Sequence, residues 1–149
     1  MKRTVLITVI VLLLCMSGCS TERTYTFMQP QEEIVSIDLI YVDPYSDYSA
    51  YNSIEAIHTI PVEQWTTFFE EFDKVTCKRH GMDPCYSTSG TIIRIIYADG
   101  GYEVISAYTG LHISADGEWE YTSFYFDETE FKKLIAKTED GSLPSQGTE

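Results

Sequence analysis

The segment that most restricts the fold is a pair of apolar stretches joined by three turn residues. Residues 91–98 read TIIRIIYA and residues 102–108 read YEVISAY, with Asp99, Gly100 and Gly101 between them. Asp-Gly and Gly-Gly pairs favour tight hairpin turns, because the primed turn types need positive φ at their central residues. The sequence therefore predicts an antiparallel hairpin here.

Further strands are predicted on both sides of this hairpin. Residues 34–42 alternate between apolar and polar side chains, which is typical of a half-buried strand. Residues 54–60 form a shorter β-like run. After the hairpin, Gly110 and the Asp116-Gly117 pair mark further turns, so residues 111–114 and 118–126 are predicted to continue the sheet as a meander.

Two amphipathic helices complete the predicted fold. Pro61 suits a first helical turn, and apolar residues follow at three- and four-residue steps to about residue 75. Asp127 is expected to cap the second helix, with Glu130 as its capping-box partner. The order β-β-α-β-β-β-α predicts one α+β two-layer domain, an antiparallel sheet of about five strands with both helices on one face.

The net charge of -13 restricts the partners of this domain. Nucleic acid is excluded, because its phosphates are neutralised by Lys and Arg. The same charge argues against docking of the folded part on anionic lipid. It would steer a cationic partner toward the domain, although a high net charge also serves solubility alone.

The chain begins with a short basic and apolar segment. Lys2 and Arg3 precede an apolar run over residues 5–16. That run reaches roughly 18 Å as a helix, whereas the hydrocarbon core of a bilayer is about 30 Å thick. It has the length of a signal-peptide core, with an ordinary cleaved signal or a short uncleaved anchor as alternatives.

The end of this run, Met16-Ser17-Gly18-Cys19, resembles the lipobox of bacterial lipoproteins. The resemblance implies that a lipoprotein signal peptidase removes residues 1–18. It also implies that Cys19 carries a diacylglycerol thioether, usually with an acylated amine, and two or more acyl chains hold a protein stably in a membrane. The expected location is a bacterial cell membrane or outer membrane, with the domain outside the cytoplasm.

The rest of the chain divides into three parts by composition. Residues 19–33 are polar after the lipidated cysteine and are expected to form a flexible tether. Residues 34–137 are expected to form the globular domain. Residues 138–149 are polar and turn-rich, which predicts a disordered acidic tail.

Cys77 and Cys85 bracket the sequence CKRHGMDPC. In an exported protein such a pair is most simply a disulfide, which would contribute ~2.6 kcal/mol in the chain-entropy model. The alternative is a metal site using both cysteines and His80, but the spacing is not a standard zinc pattern and no fourth ligand is evident. We therefore predict a disulfide, with no metal and no cofactor.

Two groups of residues are candidates for binding. Lys78, Arg79 and His80 form a basic cluster in an acidic domain, on a loop that the disulfide would close; the alternative is a solvated connector. Tyr45, Tyr48 and Tyr51 follow Pro44 in a polar stretch that favours a loop. They could form an exposed aromatic contact surface, or two of them could fold over the edge of the sheet.

Catalytic signals are weak. The sequence contains no Gly-x-Ser-x-Gly, Gly-x-x-x-x-Gly-Lys, His-Glu-x-x-His or Gly-x-Gly-x-x-Gly motif. His58 is interpreted as a side chain at the edge of the core, and His112 lies beside a predicted turn. Glu118 and Glu120 are interpreted as a solvated strand face.

Two functions remain. The predicted one is a non-enzymatic binding module, anchored to the membrane through Cys19, for a protein, peptide or envelope component, including a cationic partner. The alternative is an enzyme or accessory subunit acting on cell-envelope polymers, since active sites also assemble from residues distant in sequence.

Overall fold

A computed structural model of the chain describes residues 24–143, except residues 45, 47, 80–88 and 123. The described residues form strands β1 (Ile34–Val42), β2 (Ala56–Thr59), β3 (Cys77–Arg79), β4 (Gly90–Tyr97), β5 (Tyr102–Ile105), β6 (Gly110–Ile113), β7 (Trp119–Tyr121) and β8 (Phe124–Phe126). The α-helices are α1 (Trp65–Phe72) and α2 (Glu128–Glu139), and short 3-10 helices span Gln31–Glu33, Tyr48–Ser53 and Val62–Gln64.

The predicted hairpin forms the centre of a six-stranded antiparallel sheet with the order β2-β1-β4-β5-β6-β7. β4 pairs with β5 on one side and with β1 on the other, where Ile37 lies opposite Ile95. Gly100 in the connecting turn has a φ of 90°, in the region that favours glycine. The α+β class is confirmed, with six strands in the main sheet where about five were expected.

The unpredicted strands β3 and β8 depend on pairing between residues far apart in sequence. The stretch 118–126, predicted to continue the meander, divides into β7 and β8, and β8 leaves the main sheet to pair with β3. β3 itself lies where the sequence predicted a loop. Because Cys77 lies opposite Phe126 in this pairing, the small sheet depends on residues far apart in sequence and has no local signal.

Both helices cover the same face of the main sheet, as expected. Their buried side chains share one apolar cluster with residues of β1, β4 and β5. The cluster includes Phe68 and Phe72 of α1, Phe131 and Ile135 of α2, and Ile37, Ile93 and Ile105 of the sheet.

The capping box of α2 is only half formed. The Asp127 side chain accepts the backbone N–H of Glu130 at 3.0 Å, as predicted. The Glu130 carboxylate does not return this bond, because it accepts the N–H of Thr76 at 2.8 Å. The N–H of Asp127 donates to the carbonyl of Thr76 at 2.9 Å. These bonds join the start of α2 to the residue before β3.

The prediction that β1 is half buried was wrong. Ile37 lies against the helices, and Ile40 on the opposite face is also fully buried. The 3-10 helix Tyr48–Ser53 covers this second face, where Tyr51 packs in a cluster with Ile40 and Val42. The sequence of β1 alone indicates burial on one face, because the residues that cover its second face belong to a separate segment of the chain.

A buried ion pair fastens this covering segment to the sheet. Arg94 Nη2 lies 2.7 Å from Asp38 Oδ2, and both side chains are 6% exposed. The other carboxylate oxygen of Asp38 accepts the hydroxyls of Ser36 and Thr59. Arg94 Nη1 donates to three backbone carbonyls, those of Tyr51, Asn52 and Ile54. Since both charges are fully occupied by protein groups, the pair acts as a structural clamp.

The domain is longer than predicted at both ends. Tyr25 is 5% exposed and belongs to the main apolar cluster, so the tether predicted for residues 19–33 is wrong from Tyr25 onward. Thr138 and Leu143 are buried as well, so the tail predicted for residues 138–149 is wrong up to Leu143. Tyr25 and Leu143 are single apolar residues in polar stretches, so composition alone does not indicate that they are buried. Residues 19–23 and 144–149 lie outside the described residues.

Candidate functional site

A carboxylate is buried in the middle of the main sheet. Glu103 on β5 has no exposed surface, and its place opposite Ile95 puts it on the face that the helices cover. The Tyr25 hydroxyl donates to its Oε2 at 2.9 Å, and the Tyr97 hydroxyl donates to its Oε1. The N–H of Met28 lies 3.4 Å from Oε1. These donors offset the cost of burying a charge.

The two tyrosines remain donors over a wide pH range. Burial raises the pKa of Tyr25 well above its usual value, and the neighbouring Glu103 carboxylate raises it further. The same two causes, in the same order, raise the pKa of Tyr97. Both phenols therefore keep the protons that they share with Glu103.

His112 connects this buried carboxylate to the protein surface. Its Nε2 lies 3.0 Å from Glu103 Oε2 and 3.3 Å from the Tyr25 hydroxyl. Its Nδ1 lies 3.7 Å from Glu120 Oε1, a side chain that is 80% exposed. The three side chains are aligned because Glu103, His112 and Glu120 lie directly opposite one another on β5, β6 and β7.

The outer side of His112 lines an open cavity of about 270 Å³. We call it the His112 pocket, and its lining residues are Met28, His112, Ser114, Glu118, Trp119 and Glu120. Among the described residues, no Lys or Arg forms an ion pair with either glutamate. Trp119 is 58% exposed. The pocket is smaller than a typical small-molecule site, which suits a single charged side chain better than a large ligand.

The chemistry of the lining favours a cation. Glu120 of β7 and Glu118, the residue immediately before that strand, both line the pocket, so both can approach the same positive group. Carboxylates bind ammonium and guanidinium groups through charge-assisted hydrogen bonds. The indole of Trp119 lies on the other face of β7, because Trp119 is opposite Ile113, which belongs to the apolar cluster on the second face of the sheet. Glu118 and Glu120 are exposed, as predicted, and the structure places them in a pocket with His112.

A larger cavity of about 410 Å³ lies between β4, the turn after β5 and α2. Its charged lining residues are Glu128, Lys132 and Glu139, and the first two are paired, since Lys132 Nζ lies 2.6 Å from Glu128 Oε1. The hydroxyl of Tyr108 also binds Glu128, and this bond raises the pKa of Tyr108. We favour the His112 pocket because its carboxylates are not paired in this way.

The basic cluster predicted at residues 78–80 has a different setting from the one expected. Lys78 and Arg79 are exposed on β3, opposite Tyr125 and Phe124 of β8, so they lie on a strand rather than in a loop. His80 lies outside the described residues. A role of Lys78 and Arg79 in binding stays a prediction.

The predicted tyrosine surface is wrong for Tyr51. This side chain is 1% exposed and packs against the second face of the sheet, because Arg94 holds its carbonyl there. Tyr45 and the side chain of Tyr48 lie outside the described residues.

The structure describes only one of the two cysteines of the predicted disulfide. Cys77 is 5% exposed, and burial raises the pKa of its thiol to about 11. Cys85 and His80 lie outside the described residues, so the disulfide and its metal alternative stay predictions. Within the described residues, no group of three His, Cys, Asp or Glu side chains is placed to hold a metal ion.

Thiol labelling should separate a disulfide from a buried free thiol at Cys77. At pH 8 a thiol with a pKa of about 11 is about one part in a thousand thiolate, so native Cys77 should resist iodoacetamide in either state. After unfolding without reductant, a disulfide keeps the Cys77 peptide unlabelled by mass spectrometry until reductant is added. Labelling before reduction would contradict the disulfide, and Cys85→Ser provides the control in which unfolded Cys77 must react.

Comparison of the chain with protein-family models, with curated proteins and with solved structures finds no match. Among the helices of the described residues, none has the length and apolar character needed to cross a membrane. Residues 1–18 and Cys19 lie outside the described residues, so the signal peptide and the lipidation stay predictions.

Proposed function

We propose that the chain is a bacterial lipoprotein, anchored outside the cytoplasm through lipidated Cys19, whose domain binds a cationic group in the His112 pocket. The partner is a protein, peptide or envelope component that presents a Lys or Arg side chain. The anchor rests on the sequence of residues 16–19. The binding rests on one observation, two exposed carboxylates beside His112 that no Lys or Arg of the described residues neutralises.

Long-range electrostatics support this function. A domain of strongly negative net charge attracts basic molecules from a distance, and the attraction falls as salt screens it. Net charge alone does not determine where on the surface a basic partner binds. The His112 pocket supplies the local interaction, because the carboxylates of Glu118 and Glu120 can both bind the same ammonium or guanidinium group.

One observation favours the alternative, an enzyme acting on envelope polymers. A carboxylate beside a histidine, as in Glu103 and His112, is an arrangement that orients a general base. The hydroxyl of Ser114 in the same pocket, however, donates to Asp116 at 2.5 Å. His112 therefore has no positioned nucleophile among the described pocket residues, and binding accounts better for the site.

A charge-matched pair of variants tests the pocket. Glu118→Gln with Glu120→Gln should weaken binding of a decalysine peptide at least tenfold, because both carboxylates that contact the cation are lost. Glu55→Gln with Glu63→Gln changes the net charge equally at exposed positions outside the pocket, and it should weaken binding less than threefold. Calorimetry at low and moderate salt measures both effects. Equal losses would assign the binding to overall charge, and no binding by the unmodified protein would refute the proposal.

The same variants identify the natural partner. The full chain immobilised on beads should retain basic proteins or peptides from an envelope extract in a salt-sensitive manner. A partner bound through the His112 pocket should be lost with the Glu118 and Glu120 variant and kept with the Glu55 and Glu63 variant. A partner lost equally with both does not use the pocket.

A further inference from the structure

The segment of residues 24–33, which follows the lipidation site closely, is docked on the domain; we call it the docked segment. Tyr25 is buried in the main apolar cluster. The ring of Phe27 lies 5.4 Å from that of Phe69 and 5.5 Å from that of Phe72, centroid to centroid. At its far end, the carbonyl of Glu33 accepts the N–H of Ala98 at 2.8 Å. The segment is therefore held along its length.

The docked segment also forms part of the His112 pocket. Met28 supplies one wall of the pocket. Its side chain packs so closely over the hairpin turn that a Cβ on Gly101 would lie 2.9 Å from its terminal methyl group. The Tyr25 hydroxyl contacts both Glu103 and His112, so it helps to hold the imidazole in place. The pocket in this form exists only while the segment is docked.

Docking limits how far the pocket can lie from the lipid. Six peptide units separate Cys19 from Tyr25, and even fully extended they span at most about 22 Å. If the chain were undocked up to Ile34, fifteen units would allow about 54 Å. Because the Tyr25 hydroxyl lies 3.3 Å from His112, the pocket stays close to the attachment point in every orientation of the domain.

We infer that the docked segment holds the His112 pocket at the membrane surface, within roughly 30 Å of the lipid, and that its partner is a basic protein or peptide lying at that surface. This inference rests on the proposed anchor and deepens the proposed binding function. Anionic lipid surfaces concentrate basic peptides, so such a partner is enriched where the pocket lies. A partner confined to regions farther from the membrane would be out of reach.

Energy transfer to labelled lipid tests the height of the pocket. The chain has two tryptophans, so in the Trp65→Phe background Trp119 alone reports on the pocket. The full lipidated chain is placed in phosphatidylcholine vesicles that contain a dansyl-labelled lipid. Inserting twelve Gly and Ser residues between Ser20 and Thr21 adds up to about 43 Å of chain without touching the docked segment. Transfer from Trp119 should fall at least twofold on insertion, and equal transfer with and without the insert would overturn the inference.

A lipid-attached probe tests the partner. A decalysine peptide carried on a short lipid linker in the same vesicles should bind the anchored chain at least tenfold more tightly than soluble decalysine, because both then share one surface. The insertion variant should lose most of this preference while its affinity for soluble decalysine stays the same. No preference in the unmodified chain would overturn the inference.

Cys19→Ser distinguishes failure of this inference from failure of the proposed lipid anchor on which it rests. The variant should carry no lipid, keep residues 1–18 uncleaved and bind decalysine with unchanged affinity. If cleavage before residue 19 and membrane partitioning are both the same as in the unmodified chain, the lipoprotein proposal fails. If the unmodified chain is anchored but Trp119 shows no insertion-dependent transfer, the anchor stands and only the inferred position of the pocket fails.

Discussion

Replacing Arg94 by methionine is expected to lower the free energy of unfolding by about 3–5 kcal/mol. The substitution keeps much of the side-chain length but leaves the Asp38 carboxylate buried without its counter-charge, at 4% exposure. The carbonyls that Arg94 binds in the segment Tyr48–Ser53 also lose their donor. Since these groups cover the second face of the sheet, the apolar cluster around Tyr51 should loosen as well. Urea denaturation followed by circular dichroism measures the change.

Two further variants separate the buried pair from a general loss of positive charge. Arg79→Met removes an exposed arginine from β3 and should change stability by less than about 0.5 kcal/mol. The double variant Asp38→Leu with Arg94→Met removes both buried charges, so it should be more stable than Arg94→Met alone. A single variant as stable as Arg79→Met would show that Arg94 is not a clamp.

Replacing Glu103 by leucine is expected to cost about 2–6 kcal/mol, because two buried phenol hydroxyls lose their acceptor and each costs about 1–3 kcal/mol. Tyr25 and Tyr97 both donate to this carboxylate. The loss should appear first as release of the docked segment, which limited proteolysis detects as faster cleavage near Phe27. It should also weaken decalysine binding, because His112 loses the group that orients it.

The matched control for Glu103 is Glu120, which lies two strands away on β7. Glu120→Leu removes a carboxylate that is 80% exposed, so it should leave stability within about 0.5 kcal/mol and cleavage near Phe27 unchanged. Adding Tyr25→Phe and Tyr97→Phe to Glu103→Leu removes the orphaned hydroxyls and should recover part of the lost stability. If Glu103→Leu behaves like Glu120→Leu, the buried network is not what holds the docked segment.

The elements with strong local signals were predictable from the sequence. The apolar stretches on either side of Asp99-Gly100-Gly101 predicted the central hairpin, and the cap at Asp127 predicted the start of α2. The α+β class follows from these elements and from the spacing of the apolar residues of α1. Each of these features depends on residues within a few positions of one another.

The site was not predictable in the same way. Tyr25 and Glu103 are 78 residues apart, and they meet only because the docked segment crosses the sheet. The alignment of Glu103 with His112 depends on the register between β5 and β6. One signal was available, since Glu103 occupies an inward position of an otherwise apolar hairpin strand. A charge at such a position needs buried partners, and these partners were not identifiable from the sequence alone.

The position of β7 has a consequence for solubility. β7 has three residues and is one of the two outer strands of the main sheet within the described part of the chain. Outer strands can pair with the same strand of another molecule, and short length and charged side chains are common protection against such aggregation. Glu118 and Glu120 flank Trp119 at this edge, so the carboxylates proposed to bind a cation would also keep neighbouring molecules apart. A bound basic partner would neutralise that protection while covering the edge itself.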